Sequence, residues 1–149
     1  MQDLCNRVLD LLNGSDTGET FQKFIGELPD SLRPLREAIN DHSRLHKYIF
    51  PDLGFWLYVA DDWIFTVHFK LIPANLEDGL RTEVYTGALP FGVSITDHRK
   101  NVHEKLGLPS VDAHDRFVCD SYDTEGWHLT FFYELPSEKL IEARVMKSR

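Results

Sequence analysis

WIFTVHFKL, residues 63–71, decides the architecture. Trp63, Phe65, Val67, Phe69 and Leu71 alternate with Ile64, Thr66, His68 and Lys70. A period of two puts the first set on one face only if the segment is a strand. Phe55, Leu57 and Val59 alternate in the same way just upstream. The two runs meet at Ala60-Asp61-Asp62, which reads as a tight hairpin turn. The pattern returns in WHLTFFYEL, residues 127–135, where Trp127, Leu129, Phe131, Tyr133 and Leu135 oppose His128, Thr130, Phe132 and Glu134. Pro136 to Lys139 turns the chain into a last strand carrying Ile141, Ala143 and Val145. Arg116 to Cys119 reads as a shorter strand, joined to Trp127 through the loop SYDTEG.

Outside these runs the period changes to that of a helix. Leu4, Val8, Leu11 and Leu12 recur at helical spacing, and Gly14 stops them. Thr17 to Leu28 is a second helix, with Phe21, Phe24, Ile25 and Leu28 on one stripe and Pro29 just beyond. Leu32 to His46 is expected to be helical in part, with Leu35 and Ile39 as core contacts. Between the two sets of strands, PANLEDGLRT (73–82) reads as a surface loop and Glu83 to Thr86 as the end of a strand. Residues 85–109, YTGALPFGVSITDHRKNVHEKLGLP, then read as strand, turn, helix and stop. Thr96 suits an N-cap and Asp97 the first turn. Val102 and Leu106 lie four apart, Gly107 fits the left-handed position after the helix, and Pro109 forbids continuation.

These readings give one α+β domain over 1–149. Residues 1–45 are mainly helical. Residues 46–149 form an antiparallel sheet, with the N-terminal helices on one face and a short helix near 97–106 between the sheet halves. The length suits one domain able to bury a core. Hydrophobic content of 42% and aromatic content of 12% argue against disorder.

A formal charge of −8, from 16 basic and 24 acidic residues, disfavours direct nucleic-acid binding and anionic membrane surfaces. Cys5 and Cys119 form no CxxC, and sequence leaves open whether they pair. The start MQDLCNRVLDLLNG lacks the pattern of a signal peptide, and no apolar run approaches a membrane span. The expectation is a cytoplasmic protein.

Few residues point to chemistry. TGALPFG matches neither GxxxxGK[ST] nor GxGxxG. There is no Gly-x-Ser-x-Gly, and Cys119 sits in the strand-like FVCD as a small core residue. His42 and His46 would share a face if their segment were helical, but no third ligand accompanies them. No catalytic residue, metal site or cofactor is assigned. Two surface features remain. The first is acidic: Asp120, Asp123 and Glu125 with Tyr122, in a segment 112–125 expected to be largely loop, and Asp61 and Asp62 at the hairpin turn. Such charge suits a basic protein partner, with Tyr122 as an anchor. The second is aromatic: Trp56, Tyr58 and Phe132 oppose the core stripe and are expected to lie beneath the N-terminal helices. Trp56, Tyr58, His68 and His128 are the candidate lining of a pocket between helices and sheet.

The segments YIFPDLGFWLYVADDWIFTVHFKL (48–71), YTGALPFGVS (85–94) and VHEKLGLP (102–109) resemble small, poorly characterised bacterial proteins found beside polymorphic toxins, many acting as immunity proteins; mobile-cassette proteins have a similar pattern. The shared devices are a Pro-x-Leu-Gly strand entry, a hairpin, a Tyr-x-Gly-x-Leu-Pro-x-Gly turn and a short helix ending Leu-Gly-x-Pro, within about residues 45–145. Val93 stands where many relatives have Leu, and Asp97-His98-Arg99 replaces the usual Ser-Arg. The resemblance implies a non-enzymatic inhibitor that neutralises a basic toxin, such as a nuclease, through its acidic loops. The other reading is a small-molecule binder or enzyme using the pocket. A homodimer is compatible with either.

Overall fold

In the computed structural model, residues 4–40, 42, 44–76 and 79–148 are described. Eight strands form one antiparallel sheet: β1 (Leu35–Asn40), β2 (Leu45–Phe50), β3 (Phe55–Ala60), β4 (Trp63–Lys70), β5 (Ser110–Ala113), β6 (Phe117–Thr124), β7 (Trp127–Glu134) and β8 (Leu140–Lys147). Their spatial order is β1-β2-β3-β4-β8-β7-β6-β5. Each set of four is thus a meander of neighbouring hairpins, and the two meanders join where β4 pairs with β8. The α+β class and the antiparallel sheet agree with the sequence pattern, but the sheet is larger than 46–149 alone would make it.

The extra strand lies in the segment expected to be helical. Leu35–Asn40 is β1, and all six residues are exposed. It pairs Leu35 with Ile49 and Glu37 with Lys47. Leu35 and Ile39 are therefore edge-strand residues and not core contacts. His42 lies in the turn before β2 and His46 within β2, so the pair does not share a helix face. The 112–125 segment is also strand in the main: β5 and β6 pair from Ser110–Ser121 to Ala113–Val118. Glu83 to Thr86 is not strand, although Tyr85 is fully buried there.

Turn chemistry sets the hairpins. Asp61 and Asp62 both have positive φ, at 49° and 66°. That is the conformation of a two-residue hairpin turn, which Asp tolerates better than most residues. Glu125 and Gly126 close β6–β7 in the same way, at 28° and 88°. Gly54 has φ 76°, and a Cβ there would lie 2.2 Å from the backbone N of Tyr85. Only glycine lets residues 84–85 cross so close to the β2–β3 connection.

Helices α1 (Leu4–Leu9), α2 (Glu19–Glu27) and α3 (Arg99–Leu106) pack on one face of the sheet. Phe21 of α2 meets Tyr48 with ring centroids 4.9 Å apart, and Phe24 meets Phe50 at 6.1 Å. The core continues through Phe55, Leu57, Val67, Phe69, Val145, Ala143, Leu129, Phe131 and Tyr133. The α3 cap falls later than expected: His98, not Thr96, is the N-cap, in a capping box with Asn101. One irregularity re-aims β4. Val59 pairs with Ile64 but Tyr58 with Thr66, so Phe65 is the extra residue of a bulge. Ile64 joins Val67 and Phe69 in the core, and Phe65 faces the other way. The strict alternation read from WIFTVHFKL is broken at that point.

Candidate functional site on the open sheet face

The face away from the helices carries the chemistry that the core excludes. Cross-strand register puts Lys47, Trp56, Tyr58, Thr66, His68, Lys70, Glu142, Arg144, Thr130 and Phe132 on it. Trp56, Tyr58 and Phe132 are therefore not covered by the N-terminal helices, as their sequence position suggested. The helices need the opposite face for Phe21 and Phe24. In place of helices, long cationic side chains lie over the aromatic rings: Lys70 and Lys47 sit 4.2 Å and 4.5 Å from the Trp56 ring, and Arg144 sits 4.2 Å from that of Phe132.

Glu142 organises these cations. Lys70 donates to its Oε1 at 2.6 Å, and the Arg144 guanidinium donates to its Oε2. His68 stands beside them, its ring tilted by 37° against that of Tyr58 with centroids 4.3 Å apart, and with Nδ1 3.8 Å from Glu142 Oε2, too far for a hydrogen bond. The residue is 8% exposed, and its Nδ1 has no hydrogen-bond partner; nor has Nε1 of its cross-strand neighbour Trp56. Burial, then repulsion from Arg144, Lys70 and Lys47, lowers the His68 pKa to about 2. The ring is a neutral hydrogen-bonding group and is poorly matched to acid–base work near neutral pH.

A hollow of about 350 Å³ opens on this face, lined by Tyr58, Phe65, Thr66, His68, His128, Thr130, Arg144 and Met146. Three residues of the sequence-derived pocket, Tyr58, His68 and His128, converge here, although β8 separates their strands. Trp56 lies just outside the lining. The pocket is on the open face, not between helices and sheet. His128 is held by Asp123, whose Oδ1 lies 2.6 Å from Nδ1. Sequence reading missed Phe65, because of the bulge, and Arg144 and Glu142. The latter two alternate with the core residues Ala143 and Val145 in LIEARVMK, a signal that was available.

The acidic set does not assemble as a patch. Asp120 is 0% exposed on the helix-covered face. It accepts Arg99 Nε at 2.8 Å, Arg99 Nη2 at 3.0 Å and His103 Nε2 at 2.7 Å, which fasten α3 to β6. Tyr122 is 8% exposed and donates its hydroxyl to the Gly107 carbonyl at 3.0 Å. Neither can be a surface contact, because both alternate in β6 onto the covered side. Asp123, Glu125, Asp61 and Asp62 remain outward, at two turns on the same end of the sheet. Cys5 and Cys119 are both free, and they lie on opposite sides of the sheet. No group of three or more metal-ligating side chains occurs among the described residues.

No family model and no curated protein matches this sequence. Its structure is similar to that of an extracellular protein containing a SCP domain from Bacillus anthracis str. Ames, with a TM-score of 0.61 at 12% identity. The match covers 99% of this chain and 47% of that one, so the chain spans about half the length of its structural neighbour. At this identity the likeness concerns the fold. No helix among the described residues is long and apolar enough to cross a membrane.

Proposed function

We propose that this chain is a small-molecule binding protein whose site is the hollow on the open sheet face. The convergence of Tyr58, His68 and His128 on one cavity, with the Arg144 guanidinium in its wall, carries the reading. The volume is at the small end of the range for ligand pockets, about 300–1,000 Å³. Aromatic walls with a few polar groups are the usual composition of such sites.

The test is a fragment screen of acidic, neutral and basic aromatic compounds, followed by NMR on assigned Tyr58, His68 and His128 signals. A second sample carries Thr130→Tyr, which fills the hollow from a half-buried position. Hits should move those signals in the native protein and not in the variant, at unchanged Tm. If compounds of every charge leave the cavity signals still, this reading is wrong.

The second reading is an inhibitory protein contact of the immunity type with a basic partner. It is favoured by the placement of Asp61, Asp62, Asp123 and Glu125 at one end of the sheet. Reversing these four to lysine should abolish capture of a basic partner while leaving Tm nearly unchanged; full capture by the reversed protein excludes this end as the contact.

A further inference from the structure

The charge of the hollow narrows its ligand. The protein carries a formal −8, yet the lining includes no aspartate or glutamate. Four other surface hollows each include at least one: Asp10 and Glu27, Asp10 and Glu19, Asp62, and Glu104 with Glu138. Glu142, which does not line the hollow, is engaged by Lys70 and Arg144. Lys47 lies 3.8 Å from Glu37. Lys70 and Arg144 thus leave one positive charge over beside the single carboxylate of Glu142, and the other carboxylate near the lining, Asp123, lies on His128 Nδ1 and is largely exposed to solvent. Burial first, and then repulsion from Arg144, Lys70 and Lys47, keeps a proton off His68, so the ring adds no charge of its own to the wall.

We propose that the hollow takes a small organic monocarboxylate with an apolar body. This rests on the reading of the hollow as a ligand site. Arg144 binds Glu142 through Nε, and the donors of its two terminal nitrogens are left for a planar carboxylate, the geometry a guanidinium fork recognises best. Thr130 adds a hydroxyl whose one observed partner is Ser121 Oγ at 3.3 Å. Tyr58, Phe65 and Met146 receive the apolar body. A single surplus positive charge suits a monoanion better than a dianionic phosphate, which would bring its second charge against Glu142.

Four probes of nearly equal shape test this: phenylacetate, phenylacetamide, phenethylammonium and phenyl phosphate, titrated by NMR against native protein and Arg144→Met. Phenylacetate should bind the native protein about tenfold more tightly than the amide, the size expected of one charge-assisted contact, and the ammonium should bind weakest. The variant should lose the preference for acid over amide but keep its affinity for the amide. Equal binding of acid and amide, strongest binding of the ammonium, or tighter binding of phenyl phosphate overturns the carboxylate assignment and leaves a ligand site of another class. Retention of the preference in Arg144→Met also overturns it. Silence from all four probes overturns the ligand site itself, and the carboxylate assignment with it.

Discussion

The two faces of the sheet put their polar groups to different uses. On the covered face, Asp120 has partners on both oxygens, and Asp16 draws two donors onto Oδ2: His46 Nε2 at 2.8 Å and the Tyr48 hydroxyl at 2.9 Å. Unpartnered buried atoms occur on both sides, Asp16 Oδ1 and the Tyr133 hydroxyl under the helices and His68 Nδ1 and Trp56 Nε1 on the open face, so what separates the faces is what the partnered groups connect. Polar groups under the helices fasten one layer to the other. Those on the open face tie neighbouring strands, as Lys70 to Glu142 and Thr66 Oγ1 to the Val145 carbonyl do, and fasten no second layer.

The comparison can be broken at several points. Asp120→Asn should have the largest effect. It leaves Arg99 and His103 beside a neutral amide under α3, with only Glu138 to share Arg99. A loss of about 3 kcal/mol is expected from removing one partner of a buried charged set, read as a fall in the urea midpoint. Asp16→Asn should cost about 2 kcal/mol, because hydrogen bonds to a charged group are being lost. Burial and the bond to Asp16 push the Tyr48 phenol up to about 12, so the variant should also lower the pH at which Tyr48 ionises. A variant as stable as the parent would mean that the Asp16 carboxylate does not help to hold the segment before α2 on β2.

On the open face the expected effect depends on pH. Unfolded chains take up a proton on this histidine near 6.5, while the folded ring stays neutral down to about 2. Between those values the unfolded state binds more protons, so stability falls as pH drops, by about 1.4 kcal/mol per pH unit from this group. His68→Gln should flatten the urea midpoint between pH 6 and pH 4. An unchanged slope would place the acid lability elsewhere. The smallest effect is predicted for Arg144→Met, within about 1 kcal/mol at neutral pH, as for other partly exposed ion pairs. A much larger loss would erase the distinction between the faces.

Much of this could be read from the chain. Alternation placed β3, β4, β7 and β8, and Gly107 with Pro109 ended α3. The misreadings have specific causes. LREAIN (35–40) holds two large apolar residues, Leu35 and Ile39, four apart, a spacing compatible with either period, and its strand identity comes only from pairing with β2. SYDTEG looked like a loop because its polar residues are turn formers. In fact the buried Asp120 just before it, and Tyr122 within it, satisfy their polar atoms on α3 and Gly107, contacts that no local pattern encodes. For the site, sequence supplied Tyr58, His68 and His128. It could not supply the β8 strand between them, because strand order depends on where the chain returns after α3.

The hollow straddles the seam between the two meanders. Tyr58, Phe65, Thr66 and His68 come from the first, and His128, Thr130, Arg144 and Met146 from the second. Each meander thus holds half a site, and a bound molecule acts as a clasp across β4 and β8. Occupancy should slow amide exchange most along residues 66–69 and 142–145, and least at the outer edges β1 and β5. The seam that joins the protein into one body is also where a ligand would decide how tightly it stays closed.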